Sequence, residues 1–349
     1  MKKLSAKSLL KFRMVSKSWK YTIDSDIFGR EYGSRQSQTC CFTLKFNVGN
    51  EHFMCSADGH MSLSLLNTNF PQTNLTPITT SEGVWCFSFG CNVGAILWNP
   101  CLRKFYGIEV PFMPNRPALE KIVWGFGVHP DTLDPTILNI SSWLYGDGPL
   151  HVLMYTLNSD TWTVLGNDRL PRLDITIKRS CGVAVASSCI FWGCSKSFFN
   201  DDGSSYELYM LLSFDLINHQ FHVLDIPTQV RNSLPIPFYI SNLGNSLVIS
   251  GNLIHDENRY ICAWLLEVGA AVVTSWRVLF VIPSQNIAKL LGFTMEDDPI
   301  VEVFSGQEMI HTLQVYDRPS QQFHNVGIEG DGGSFFIGPY KESLILLNV

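Results

Sequence analysis

Residues 214–221 read FDLINHQF, an eight-residue segment in which two aromatic side chains lie seven positions apart. Paired residues in a tight hairpin have a constant index sum, so pairing Phe214 with Phe221 centres the turn on Ile217 and Asn218. Asp215 can then accept hydrogen bonds from the backbone of that turn. The segment therefore predicts two antiparallel strands joined by a short turn. The aromatic pair on one sheet face is worth about 0.2–1 kcal/mol relative to an Ala–Ala pair.

The same pattern recurs along the chain at nearly constant intervals. The further copies are FNVGNEHF (46–53), WNPCLRKF (98–105), YTLNSDTW (155–162), YDRPSQQF (316–323) and, imperfectly, WLLEVGAAVVTSW (264–276). Starting positions differ by 52, 57, 59, 50 and 52 residues. A period of about 50 residues is typical of repeat architectures, and about four strands per period is the content of a propeller blade.

This repeat predicts a mainly β fold over residues 36–349, a β-propeller-like domain of about six blades. The final segment, 343–349, is expected to pair beside the first strand around 41–46 and so close the ring without a free edge. An open pair of β-sandwich sheets is the alternative architecture.

Composition and cysteine spacing narrow the class of protein. Of the 349 residues, 46% are hydrophobic and 16% are charged, which is typical of a globular chain with a large core. No apolar run is long enough for a membrane span, and no secretory leader is recognisable. The ten cysteines lack the spacing of a zinc site, so we expect buried, reduced thiols and a cytoplasmic or nuclear location, or both.

Charge is divided unevenly between the first 35 residues and the rest. Nine basic side chains against three acidic ones give this segment a net charge of +6, and because the whole chain carries −6, the remainder carries −12. An acidic body is repelled by phosphate backbones, which argues against nucleic acid as the partner. The pair His219 and His222 has no third ligand nearby, and no nucleophile–base pair is evident. We therefore predict no catalytic, metal or cofactor-binding residues.

The basic N-terminal segment resembles a known module. The stretch KSLLKFRMVSKSWKYTIDSDIF (7–28) is similar to the second half of an F-box. The segments that resemble the F-box-associated domain of the large plant F-box and kelch-like families are GVWCFSFGCNVGAILWNPCLRKFYGIEVP (83–111), WGFGVHPDTLDP (124–135), YMLLSFDLINHQFHVLDIP (209–227), LLGFTMEDDPIVEVF (290–304) and LQVYDRPSQQFHNVGI (313–328). The resemblance covers nearly the whole chain.

The resemblance implies a helical F-box over residues 1–30 followed by the β-domain. It implies a non-catalytic substrate receptor of an SCF-type ubiquitin ligase, which binds a Skp-type adaptor and, through it, a cullin scaffold. Adaptor contact is expected from an apolar face of one helix over residues 8–19, comprising Leu9, Leu10, Phe12, Val15 and Trp19. Because Met1 stands where the first F-box helix should end, the F-box is expected to be N-terminally truncated.

Target-binding residues are expected on loops at one face of the propeller, where sequence can vary without disturbing the blades. The candidate stretches are 112–118, 143–149, 197–206 and 228–237. Their aromatic residues are Phe112, Trp143, Tyr145, Phe198, Phe199 and Tyr206. Two other functions stay open: a stand-alone protein-interaction module with a vestigial F-box, and a propeller enzyme with a site in the central channel.

Overall fold

The computed structural model describes residues 4–35, 41–48, 51–57, 63–65, 75–90, 93–112, 120–143, 150–166, 169, 174–200, 202–231, 234, 238–269, 272–283, 286–294, 296–306 and 309–346.

Three helices precede the strands: α1 (Ala6–Val15), α2 (Lys17–Ile23) and α3 (Asp26–Arg35). The hydroxyl of Ser5 caps α1 by accepting a hydrogen bond from the backbone N–H of Ser8 at 3.3 Å. Ser16 has an extended backbone, so the segment predicted as a single helix is two. Helical structure extends to Arg35, past the boundary predicted at residue 30, and a short helix, α4 (Thr228–Arg231), lies between later strands.

The rest of the described chain is built from strands. They are β1 (Cys41–Val48), β2 (Glu51–Ala57), β3 (Leu63–Leu65), β4 (Thr76–Ser81), β5 (Val84–Phe89), β6 (Gly94–Asn99), β7 (Lys104–Glu109), β8 (Glu120–Val128), β9 (Pro135–Trp143), β10 (His151–Thr156), β11 (Thr161–Val164), β12 (Thr176–Ile177), β13 (Val183–Ala186), β14 (Cys189–Phe199), β15 (Ser205–Asp215), β16 (Gln220–Asp225), β17 (Tyr239–Leu243), β18 (Ser246–His255), β19 (Asn258–Gly269), β20 (Val272–Pro283), β21 (Ile287–Phe293), β22 (Pro299–Phe304), β23 (Ile310–Asp317), β24 (Gln322–Asp331) and β25 (Phe336–Tyr340).

The described strands form six antiparallel sheets arranged as the blades of a propeller. Their orders are β4-β5-β6-β7, β8-β9-β10-β11, β13-β14-β15-β16 with β12 added to β14, β17-β18-β19-β20, β21-β22-β23-β24 and β25-β1-β2-β3. The first strands of the sheets contact one another in a ring, β4–β8–β13–β17–β21–β25 and back to β4. Apolar clusters fill the spaces between neighbouring sheets. The predicted propeller is confirmed and the sandwich alternative is wrong.

All five predicted aromatic pairs are register partners in hairpins: Phe46–Phe53, Trp98–Phe105, Tyr155–Trp162, Phe214–Phe221 and Tyr316–Phe323. The ring centroids of Phe214 and Phe221 are 4.9 Å apart. The Asp215 carboxylate accepts hydrogen bonds from the N–H groups of Ile217 and Asn218 at 2.7 and 3.2 Å, as predicted for an Asx-turn.

The copies are not all equivalent, however. Four pairs join the third and fourth strands of a sheet, whereas Phe46–Phe53 joins β1 to β2, the second and third. In the imperfect copy, a bulge shifts the register, so that Trp264 pairs with Val278 and Trp276 pairs with Leu266. The repeated sequence pattern therefore marks one hairpin in each sheet, and this hairpin is not at the same position in every sheet.

A C-terminal strand pairs beside β1 and closes the ring, as predicted, but this strand is β25 and not the predicted segment 343–349. β25 pairs with β1, with Cys41 opposite Tyr340 and Lys45 opposite Phe336. Residues 343–346 are not a strand, and 347–349 lie outside the described residues. Ile345 and Leu346 instead pack into the core beside the β4–β7 sheet, because this segment leaves the ring after the closing strand.

Gly125 and Gly127, which lie in the WGFGV stretch, are explained by close packing between sheets. A Cβ on Gly125 would collide with the indole ring of Trp192, and one on Gly127 would lie 2.7 Å from Leu216 Cδ1. Trp192 donates its Nε1–H to the carbonyl of Trp124 at 2.9 Å. The two glycines therefore let β8 lie directly against the next sheet.

Candidate functional site

The propeller has two ends that differ in what they carry. At one end, turns join the first strand of a sheet to the second (82–83, 129–134, 187–188 and 244–245) or the third strand to the fourth (100–103, 157–160, 216–219 and 318–321). We call this end the helix face. We call the opposite end the far face; its described connections include 90, 93, 110–112, 200, 202–204, 256–257 and 305–306. The helices α1–α3 dock on the helix face.

An apolar cluster fastens these helices to the propeller. Leu9 is fully buried and packs in one cluster with Leu102, from the turn between β6 and β7, and Leu344, from the C-terminal segment. Ile23 and Phe28 belong to the same cluster. The F-box-like helices and the β-domain thus share a core, and the burial of these large side chains stabilises their docking.

Polar contacts hold the same junction. The Glu342 carboxylate accepts hydrogen bonds from the N–H of Ala6 at 2.9 Å and the hydroxyl of Tyr32 at 2.7 Å. Arg30 donates to the carbonyl of Asp131 at 2.7 Å. The side-chain carboxylate of Glu342 therefore joins α1 and α3 to each other and to the segment that follows the last strand of the propeller.

Asn99, at the end of β6, anchors the C-terminal segment from the propeller side. Its amide nitrogen donates to the carbonyls of Ser343 and Ile345 at 3.1 and 2.7 Å, and the side chain is fully buried. Its amide oxygen accepts hydrogen bonds from the N–H groups of Cys101 and Leu102. This residue occupies the turn position of Asp215, but it also binds a second segment of chain.

The predicted adaptor-contact residues are separated by the structure. Leu9 is inside the shared core, while Leu10, Phe12 and Trp19 are partly buried, with the rings of Phe12 and Trp19 4.5 Å apart. Val15 is 80% exposed. The break at Ser16 ends the predicted continuous face, because α2 starts with a new rotation after the extended residue.

Three exposed apolar side chains on these helices, Met14, Tyr21 and Ile27, were not selected from the sequence. Met14 is 88% exposed and Tyr21 is 83% exposed, and both lie within the segment around Val15. The spacing pattern did not select them, because it followed the helical face of Leu9, most of which is buried or partly buried, with Val15 as the exposed exception. The accessible apolar surface of the helices is therefore formed by Met14, Val15 and Tyr21, with Ile27 on α3.

The predicted target-binding residues that the structure describes lie toward the far face. Phe112 and Phe199 are almost fully exposed, and Tyr206 is half exposed. Phe198 stacks on Tyr206 with centroids 5.1 Å apart. Trp143 ends β9, and Tyr145 lies outside the described residues. Of the stretch 228–237, Val230 and Leu234 are buried, so that part of it belongs to the core.

The hairpin of β14 and β15 extends beyond its neighbours. These strands pair from Cys189–Asp215 to Phe199–Ser205, whereas β16 pairs only with Met210–Asp215. The far face also exposes other apolar side chains, which sequence reasoning did not select: Val93, Ile254, Phe304 and Met309. The large apolar side chains exposed on the propeller's connections are therefore concentrated at this face, with Ile217 as an exception on the helix face.

A channel of about 850 Å³ runs between the first strands of the sheets. Its charged lining residues are Glu82, Arg179, Lys289, Asp297 and Lys341. Lys341 and Glu82 form an ion pair at 2.6 Å at the helix-face end. Burial lowers the pKa of Lys289, and the carboxylate of Glu302 partly offsets this shift.

Most of the described thiols are core groups. Cys86, Cys181, Cys189, Cys194 and Cys262 are buried, reduced thiols, as predicted, whereas Cys101 is only partly buried. Burial raises the pKa of Cys181 to about 11 and that of Cys194 to about 12, which keeps both in the unreactive thiol form at neutral pH. Among the described residues, no three His, Cys, Asp or Glu side chains converge as metal ligands would, and no helix has the length and apolarity of a membrane span.

Comparisons with known proteins agree with this organisation. Residues 33–337 match the F-box associated beta propeller domain, and residues 1–31 match the F-box domain. Two relatives are F-box protein At1g30790 of Arabidopsis thaliana, 27% identical over 51% of this chain and 50% of its own length, and candidate F-box protein At3g21120 of the same plant, 24% identical over 66% and 64%. The chain spans between about one third and two thirds of the length of its curated relatives.

Two solved structures show a weak similarity to the chain. An oligogalacturonate lyase in complex with manganese gives a TM-score of 0.43 with 10% identity, over 81% of this chain and 77% of its own. The tricorn protease also gives 0.43, with 9% identity, over 86% of this chain and 30% of its own. The family match over residues 33–337 encloses all six sheets except the last residues of β25, and the F-box match covers α1, α2 and the first part of α3. The chain belongs to the family of F-box proteins with an F-box associated beta propeller domain.

Proposed function

We propose that this chain is the substrate-recognition subunit of an SCF-type ubiquitin ligase and catalyses no reaction itself. The helices α1–α3 would bind a Skp-type adaptor and, through it, the cullin scaffold, and the far face would bind the protein to be ubiquitinated. Such a receptor acts by raising the effective concentration of target lysines near a conjugating enzyme that carries ubiquitin.

The proposal rests on one observation: apolar side chains are exposed at two opposite ends of one packed unit. Met14, Val15 and Tyr21 are exposed on the helices, and Phe112 and Phe199 are exposed toward the far face. Exposed apolar groups of this size favour protein partners. A receptor needs two separate binding surfaces held at a fixed distance, and the shared core around Leu9 supplies that connection.

A stand-alone interaction module is the second candidate. It is favoured by the burial of Leu9 and the partial burial of Phe12 and Trp19 against the propeller and neighbouring helices, which leaves a smaller apolar surface for an adaptor. In that case, the far face would still bind a protein partner, but the helices would serve only to cover the propeller.

Adaptor binding separates the two candidates. Purified chain is titrated with a purified Skp-type adaptor, and the dissociation constant is measured by calorimetry. We expect binding by the unsubstituted chain and at least about tenfold weaker binding by Val15→Asp and Tyr21→Asp, because each places a charge in an apolar contact.

Ile217→Asp is the matched control, since Ile217 is also an exposed apolar residue on the helix face but lies on a propeller turn. It should bind the adaptor as the unsubstituted chain does. No binding by the unsubstituted chain would reject the ligase role for it and leave the interaction module. Equal binding by all variants would reject the assigned helix surface.

A further inference from the structure

The channel has unpaired positive charge near one end. Arg179 lies in the turn just before β13, and Lys289 is the third residue of β21, so both are near the far-face ends of the inner strands. Neither has an ion-pair partner within 4 Å among the described residues, and both line the channel. The two carboxylates in the lining, Glu82 and Asp297, lie in turns of the helix face, at the other end.

Lys289 is oriented toward the channel wall rather than toward a carboxylate. Its ammonium lies 5.2 Å from the centroid of the Tyr239 ring, a cation–π contact. Glu302 is its cross-strand neighbour, but that carboxylate accepts a hydrogen bond from the N–H of Gly333 at 2.6 Å and lies 2.7 Å from Nδ1 of His311. The carboxylate of this cross-strand neighbour is therefore also bound by groups other than Lys289.

A second polar group in the channel lining has no hydrogen-bond partner among the described residues. The hydroxyl of Ser241 is buried and has no hydrogen-bond partner within the described part of the chain. Ser241 is two residues from Tyr239 on β17, so the two side chains share a face of that strand, and both Ser241 and Lys289 line the channel. A buried hydroxyl without a partner is costly unless something in the cavity binds it.

We propose that the far-face part of the channel binds an anion, with Lys289 and Arg179 contacting a carboxylate or phosphate group and Ser241 donating a hydrogen bond to it. The whole channel has a volume of about 850 Å³, so part of it can hold a small organic anion or an acidic side chain. The anion is either a free small molecule or an acidic side chain of a bound protein. The proposal does not depend on adaptor binding.

Burial supports the assignment of Lys289. The channel wall lowers the pKa of its ammonium because the charged form is poorly solvated there. A bound anion would restore a favourable partner to that charge. Arg179 is exposed at the turn, so its guanidinium adds a second positive charge without the same desolvation.

Calorimetric titration of the full chain tests the site, with inorganic phosphate and citrate as free anions. Two short flexible peptides that differ only in a central glutamate or glutamine represent the side-chain source. We expect saturable binding of at least one anionic probe. Lys289→Met, which keeps side-chain length, and Arg179→Gln, at an exposed position, should each weaken it by about tenfold or more, as expected for lost hydrogen bonds to a charged group.

Arg259→Gln is the control, because Arg259 is an exposed cation at the far-face start of β19 that does not line the channel. It should leave binding unchanged. Binding of phosphate or citrate would identify a free anion, and binding of the glutamate peptide alone would identify a protein side chain. The absence of saturable binding by every probe, or an equal loss in Arg259→Gln, would overturn the proposal, whatever the adaptor titration shows.

Discussion

Single side chains at the turns do two different tasks in this protein. Asp215 satisfies the N–H groups of its own hairpin turn and is partly exposed. Asn99 occupies the equivalent position, is fully buried, and in addition binds the carbonyls of Ser343 and Ile345. The sequence pattern predicted the first task at both positions. The second depends on a segment more than 240 residues away, which the local pattern does not contain.

Asn99 and Asp215 therefore form a matched pair for substitution. We expect Asn99→Ala to lower the free energy of unfolding by about 3–5 kcal/mol, because it removes the hydrogen bonds of a buried amide to the carbonyls of Ser343 and Ile345 and to two turn N–H groups. The matched change Asp215→Ala should cost about 1 kcal/mol, since water can reach that turn. Urea denaturation of the two variants checks this, and equal losses would show that Asn99 acts only as a turn residue.

At the scale of strands, β25 decides whether the ring closes. It pairs with β1 on one side, and its Gly338 lies against the adjoining sheet, where an added Cβ would be 2.5 Å from Thr80 Cγ2 and 3.1 Å from Trp85 Cζ2. Gly107, in β7, has no atom within 4 Å of the same position. The two glycines occupy similar backbone conformations but quite different surroundings.

Gly338→Val should therefore lower the free energy of unfolding by about 1–3 kcal/mol through overpacking at the closing seam. Gly107→Val should change it by no more than about 1 kcal/mol, and in the stabilising direction, because valine favours strands. The midpoints of urea denaturation give both values. A Gly338→Val variant as stable as the parent chain would contradict close packing of β25 on β4.

At the scale of the molecule, the helices and the propeller form one unit through a small number of contacts. The shared cluster around Leu9 and Leu344 is apolar, and the Glu342 carboxylate joins Ala6 and Tyr32. Because the Glu342 contacts are made by a single carboxylate, they can be removed without altering the sheets. This allows the docking of the helices to be tested separately from the stability of the propeller.

We expect Glu342→Ala to reduce hydrogen-exchange protection of amides in α1 and α3 by about 10- to 100-fold, since it removes two charge-assisted hydrogen bonds. Protection in β18 and β22 should not change. Glu329→Ala is the control, because Glu329 is an exposed carboxylate on β24. Unchanged protection in the helices would mean that the apolar cluster alone holds them to the propeller.

The amino-acid sequence by itself determined the hairpins, their aromatic pairs, the propeller class and the helical N-terminal segment. These features depend on short-range periodicity and turn chemistry, which residues such as Phe214, Asp215 and Phe221 carry locally. Tertiary structure alone decided that β25 closes the ring, that Leu9 faces the propeller rather than solvent, and that Arg179 and Lys289 line one channel. Those outcomes depend on contacts between segments far apart in the chain, and no local pattern encodes which distant surface will cover a given side chain.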